Sequence, residues 1–207
     1  MENKAYSKYI FHEHLIDELE CKNIIPSCYK LAKEIEARYK DFMETWPYDY
    51  MRFAEGSNST KLYETYNVFL CPMYGFFDLY HKVVSKFKEK QPNYRQYAIA
   101  GWVNVYKKDT FLDWHKHGND PVNHDGRWHG YVSVNAEPSK TLYADDNGQL
   151  VKEIDNKNGF ITLSPAGLMH RVTPWTNSIA PRVTIAFDII LQKDIDEYLL
   201  NRWIPIT

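Results

Sequence analysis

Near Tyr94 the hydrophobic period of this chain changes, and that change constrains the fold more than any other feature. Upstream, Leu31, Ile35, Tyr39 and Phe42 or Met43 recur at three- and four-residue steps, as on an amphipathic helix. The spacing predicts a helix over 24–43, with Pro26 in its first turn, Ser27 as a neighbour of the cap, and Pro47 beyond its end. A polar loop over 54–62 follows. A second helix is predicted over 73–89, carrying Phe76, Tyr80, Val83, Val84 and Phe87, with Lys86, Lys88 and Lys90 suited to the negative end of its dipole. Ahead of both, residues 5–16 hold a short strand with Tyr9, Phe11 and Leu15 on one side.

Downstream of Tyr94 the runs are short and β-rich: 97–106, 128–135, 141–144, 159–163, 171–173 and 182–191. Turn signals separate them, among them Asn119-Asp120-Pro121, Asp125-Gly126 and Asp145-Asp146-Asn147-Gly148. Helices first and strands second predict an α+β jelly roll braced by helices on one face. With no repeats or internal boundary, 1–207 reads as one domain. Residues 1–93 form the helical part on the sheet, 94–192 the jelly roll, and 193–207 a tail with a short helix over 195–202 stopped by Pro205.

Alternation within the strands separates two faces. Along 182–188, Val183, Ile185 and Phe187 share one face, while Arg182, Thr184, Ala186 and Asp188 share the other. Trp102, Asn104 and Tyr106 likewise share a face, as do His129, Tyr131 and Ser133. A barrel dry outside, against the helices, and polar inside produces this pattern, and such an interior is a binding cavity.

Composition weighs against some functions. A net charge of −2 offers no basic field for nucleic acid or anionic membrane. Three cysteines without framework spacing read as reduced thiols in a cytoplasmic protein. No apolar run spans a membrane, and the first residues, Met1-Glu2-Asn3-Lys4, lack a signal-peptide core. Without a secretory signal, the sequon Asn58-Ser59-Thr60 means little. Exposed aromatics of the helical half would support a dimer.

The chemistry gathers around Trp114-His115-Lys116-His117-Gly118 and Met169-His170-Arg171. His115 and His117, two apart on an extended segment, point to one side, and His170 arrives on a distant strand edge. Three imidazoles suit one divalent transition ion. His12 and His14 repeat the spacing but have no third histidine nearby and read as a solvated strand face. Arg182 follows His170 on the polar face, where a permanently charged guanidinium can hold a carboxylate bidentately. His124 lies in a Gly- and Asp-rich loop and reads as solvent-exposed. Trp114 and Trp128 flank the site, as pocket lining or as core.

Residues 95–191 resemble the iron(II)- and 2-oxoglutarate-dependent dioxygenases, particularly the prolyl-hydroxylase-like and phage-encoded members. The resemblance rests on His115 and His117, on Ser164-Pro165-Ala166-Gly167-Leu168-Met169-His170-Arg171-Val172, and on Pro181-Arg182-Val183-Thr184-Ile185-Ala186-Phe187. The run Trp128-His129-Gly130-Tyr131 resembles the strand after the first ligand in phage members. It implies a double-stranded β-helix (cupin-like) and an oxygenase that hydroxylates a substrate with iron(II), 2-oxoglutarate and O2. His115, His117 and His170 would hold the metal, and Arg182 the C5 carboxylate, with Tyr106 and Tyr131 nearby. Arg127 and His129 would contact the other carboxylate, or satisfy each other. The family's second ligand is usually a carboxylate where this chain has His117. Either His117 ligates in its place, or water does, or Asp113 or Asp120 swings in. Two rival functions use the same residues: a zinc-dependent three-histidine hydrolase or lyase, and a non-catalytic module binding a small acid through Arg182. The substrate itself is not written in the sequence.

Overall fold

A computed structural model describes residues 4–45, 66–121, 126–196 and 202–207. The 54–62 loop with its sequon, Pro47, His124 and most of the expected tail helix lie outside the described residues.

Helix α1 covers Lys4–Ser7, α2 Glu18–Thr45 and α3 Phe76–Lys90. Helix α2 starts earlier than its hydrophobic period suggests, because Asp17 and Glu20 form a reciprocal capping box. The Asp17 carboxylate accepts from the Glu20 N–H at 2.8 Å, and the Glu20 carboxylate accepts from the Asp17 N–H at 3.0 Å. Pro26 therefore lies inside the helix rather than in its first turn. Lacking an N–H, it leaves the carbonyl one turn earlier without its helical donor.

Among the described residues ten strands form two sheets: β1 Phe11–His14, β2 Tyr97–Tyr106, β3 Leu112–His115, β4 Trp128–Asn135, β5 Lys140–Ala144, β6 Leu150–Asp155, β7 Phe160–Pro165, β8 Met169–Val172, β9 Arg182–Leu191 and β10 Ile204–Pro205. One sheet runs β1-β7-β4-β9-β2-β10, the other β3-β8-β5-β6, and all pairings are antiparallel. From β2 to β9 the chain crosses between sheets at every connection but the β5–β6 hairpin. That is the winding of a jelly roll.

The N-terminal and tail segments do more than brace this core. β1 extends the larger sheet beside β7, and Pro205, expected to stop a helix, sits instead in β10 beside β2. Glycine at 159 permits the entry into β7: its φ is +81°, and an added Cβ would lie 2.1 Å from the Ile16 carbonyl oxygen.

The outer face of the large sheet is dry. Val103, Val105, Val183, Ile185, Phe187 and Ile189 pack into one core with Leu31, Ile35, Phe76, Leu79, Val83 and Phe87 of the helices. Trp128 belongs to this core, with its ring centroid 6.1 Å from that of Phe87. It is therefore a packing residue, not pocket lining. The inner face carries Trp102, Tyr131 and Ala186 together, and nearby Tyr106 with Leu112 and Val172.

Candidate metal centre

Strands β3 and β8 bring two of the three histidines together. His115 and His170 are register partners, and their ring centroids lie 4.2 Å apart. His115 Nδ1 donates to the Asp113 carbonyl at 2.7 Å, and His170 Nδ1 to the Leu168 carbonyl at 3.1 Å. A carbonyl can only accept, so each ring carries its proton on Nδ1 and presents a bare Nε2.

His117 arrives by another route. The strand ends at His115, so strand alternation does not position His117. Its N–H donates instead to the Ala166 carbonyl at 2.8 Å, in the turn between β7 and β8. Gly167 lets the two segments meet, since a Cβ there would lie 2.2 Å from the Asp120 main chain. One nitrogen each from His115, His117 and His170 lies within 4.8 Å of the other two. His117 Nε2 is buried with no hydrogen-bond partner. A buried nitrogen left this way calls for a ligand of its own. The donor set thus fits a divalent ion.

A second group meets at the same ring. Asp188 of β9 faces His129 of β4 in register, and their Oδ1 and Nδ1 lie 2.8 Å apart. The other carboxylate oxygen lies 3.2 Å from His117 Nδ1. The His117 and His129 rings stack at 3.9 Å and 14°. Asp113 and Asp120 belong to neither group of converging donors among the described residues, and neither do His12 and His14. His12 stacks on Phe160 and bonds Thr162. The carboxylate at this centre is Asp188, which sequence reasoning placed on the polar face of its strand but did not connect to a histidine.

Burial sets the charge state. It pushes His115 down to about 3, His129 down to about 4 and His170 well below its usual range, with the neighbouring histidines adding to the effect. These rings are neutral near pH 7, as metal ligands must be. Burial opposes ionisation of Asp188, yet His117 and His129 hold its carboxyl below the ordinary carboxylate range.

Further along the inner face, Arg182 is buried to 2% exposure and sits over the Tyr106 ring at 5.5 Å, its register partner on β2. Its Nε donates to Ser139 Oγ at 2.9 Å and its Nη1 to Thr184 Oγ1 at 3.5 Å. Among the described residues no carboxylate forms an ion pair with it. Ser139 also accepts from Asn156 Nδ2 at 3.1 Å, and the Asn156 carbonyl accepts from Tyr131 at 2.9 Å and Thr141 at 3.0 Å. Burial pushes the Tyr131 phenol up, so it stays a neutral donor. Uncompensated, a buried guanidinium is costly, and an anionic ligand offsets that cost.

Arg127 contributes its main chain to the histidine cluster. Its carbonyl accepts from the Ala166 N–H at 2.9 Å, at the turn that also holds His117. The Nδ1 of His129 has Asp188 for its partner, not Arg127. Trp114 stacks under Arg171, 4.9 Å from its guanidinium.

No family model matches the sequence, and no curated protein does. Solved structures do match by shape. A prolyl hydroxylase from Trichoplax adhaerens, in complex with a hypoxia inducible factor peptide, superposes with a TM-score of 0.60 at 12% identity, covering 92% of this chain and 89% of that one. A Pseudomonas putida prolyl-4-hydroxylase gives 0.54 at 10% identity, over 89% and 87% of the two chains. HygX from Streptomyces hygroscopicus, with nickel, 2-oxoglutarate and hygromycin B bound, gives 0.51 at 11% identity, over 89% and 82%. The jelly roll described here is therefore a double-stranded β-helix, the fold that it shares with these three structures.

Proposed function

We infer that this protein is an iron(II)- and 2-oxoglutarate-dependent oxygenase that hydroxylates a C–H bond of its substrate. One observation carries the reading: three converging imidazoles and a buried arginine with no acidic partner among the described residues line the inside of the same jelly roll.

His115, His117 and His170 would hold the metal, with Nε2 of His115 and His170 freed by their carbonyl bonds. Iron(II) there would supply the oxygen activation, one atom of O2 entering the substrate and the other the succinate formed with CO2 from 2-oxoglutarate. The chain's own part is placement. Arg182, backed by Ser139 and Thr184, anchors the distal carboxylate of the dicarboxylic acid. Tyr106 and Tyr131 wall that anchor and exclude water. Three imidazoles would also serve zinc, but a hydrolase has no use for the Arg182 cradle. The three free cysteines suit a reducing, cytoplasmic setting, and no described helix is long and apolar enough to cross a membrane.

The test is anaerobic. Iron(II) and 2-oxoglutarate added to the apoprotein should give the visible charge-transfer band of the chelated cosubstrate. Its absence, with zinc retained stoichiometrically through purification, would replace this reading by the zinc one. A band lost in Arg182→Ala but kept in a surface control would assign the anchor.

A further inference from the structure

We propose that Asp188 is a positioning residue for the metal: gripping His117 from behind, it fixes which nitrogen that ring offers and supplies the negative charge that a histidine ligand lacks. The proposal rests on the reading of His115, His117 and His170 as ligands.

The geometry is specific. A carboxylate accepts and does not donate when ionised, so the 3.2 Å contact assigns the proton of His117 to Nδ1. The bare nitrogen is then Nε2, the atom that is buried and unpartnered. His129 takes the second oxygen of the same carboxylate at 2.8 Å, so Asp188 cannot rotate without losing one of two partners. His129 also stacks on the His117 ring, and Trp102 lies against His117 at 5.8 Å and 23°. The loop carrying His117 is also tied by the main-chain bond of His117 to Ala166 and by the Lys116–Asp146 ion pair at 3.3 Å, neither of which orients the imidazole. Strand β9 thus reaches from the far sheet and orients a ligand that its own strand had released.

Charge is the second half of the argument. Three imidazoles around a divalent ion leave the full +2 uncompensated in a buried site. A carboxylate bonded to one of the rings raises that ring's basicity and brings a negative charge one imidazole away from the ion. No other carboxylate joins these donors among the described residues. Placing the acid behind the ligand keeps the charge while leaving the coordination sphere to neutral donors.

Cobalt(II) affinity, read by calorimetry, tests this in a double-mutant cycle. Asp188→Asn should weaken binding by about 10- to 100-fold, the usual cost of losing such a partner. In a His117→Asp background, where the ligand carries its own charge, the same change should move affinity by no more than about twofold, the scatter expected of uncoupled sites. Equal losses in both backgrounds would overturn the proposal, because a general structural or electrostatic role predicts them. Nitrogen-15 spectra of the wild-type apoprotein give an answer that needs no variant to fold. His117 should be the Nδ1–H tautomer near pH 7, and an Nε2–H tautomer would overturn the proposal. A wild-type protein that takes up no cobalt, yet shows the Nδ1–H tautomer, would remove the metal reading while leaving the Asp188 bond intact, and the positioning role would fall with the metal.

Discussion

Arg182 shows how a single residue can be costly to the fold and useful to the site. Its guanidinium is buried over Tyr106, bonded to Ser139 and Thr184, and not ion-paired with any acid among the described residues. Replacing a buried charge by an apolar side chain of similar volume is often neutral or stabilising. Arg182→Met should therefore keep or raise the melting temperature of the metal-free protein, while abolishing any rise in melting temperature on adding 2-oxoglutarate. A steep fall in the melting temperature would mean that Arg182 serves the fold instead. At this scale the sequence was informative about identity and silent about pairing. The alternation along 182–188 put Arg182 and Asp188 on the polar face, and both are there. That Asp188 bonds His117 and His129 depends on register across β4 and β9 and on a loop 71 residues away, which no local pattern encodes.

Elements with strong periodicity or alternation were legible, and those held by tertiary contacts were not. Helix α3, β2, β4 and β9 lie close to where their patterns put them. β3 was legible as an extended segment but ends at His115, short of His117; β6 was not foreseen because it is short and mixes polar with apolar residues, and β10 exists only because β2 offers it an edge. The start of α2 was written locally, in Asp17-Glu18-Leu19-Glu20, but as a polar cap that lies upstream of the hydrophobic period. That cap has a measurable value. Asp17→Ala removes one half of the reciprocal pair on an exposed helix end, and should lower unfolding stability by about 1 kcal/mol in urea titration with the slope unchanged. No change would show that packing of α2 on the sheet alone sets its first turn.

Across the whole molecule, the centre ties stability to acidity. In the metal-free protein His115 is held down to about 3 and His129 down to about 4, against 6.5 in an open chain. Above pH 6.5 neither state binds these protons and stability is unaffected. Between 6.5 and about 4 the unfolded chain takes up protons that the folded one refuses, so stability falls as pH falls. Melting temperatures of the apoprotein should decline through this window, and a His115→Gln variant should decline less steeply. A flat profile would mean that the folded site opens to water. Both sheets contribute to this site, β3 and β8 from the smaller, β4 and β9 from the larger, so loosening either one reaches the histidines.

The margins of the larger sheet carry one more consequence. On one side β1 is Phe11-His12-Glu13-His14, with Glu13 ion-paired to Lys86 and Lys90 of α3; on the other, β10 ends in Pro205, which has no N–H to donate. A bare outer strand is a template for runaway pairing between copies, and charge and proline are what blunt it. Without β10, the long apolar β2 would become that template. The same short segment that completes the sheet thus protects the protein from aggregation, and a tag or substitution that unseats it should be felt first as lost solubility rather than lost activity.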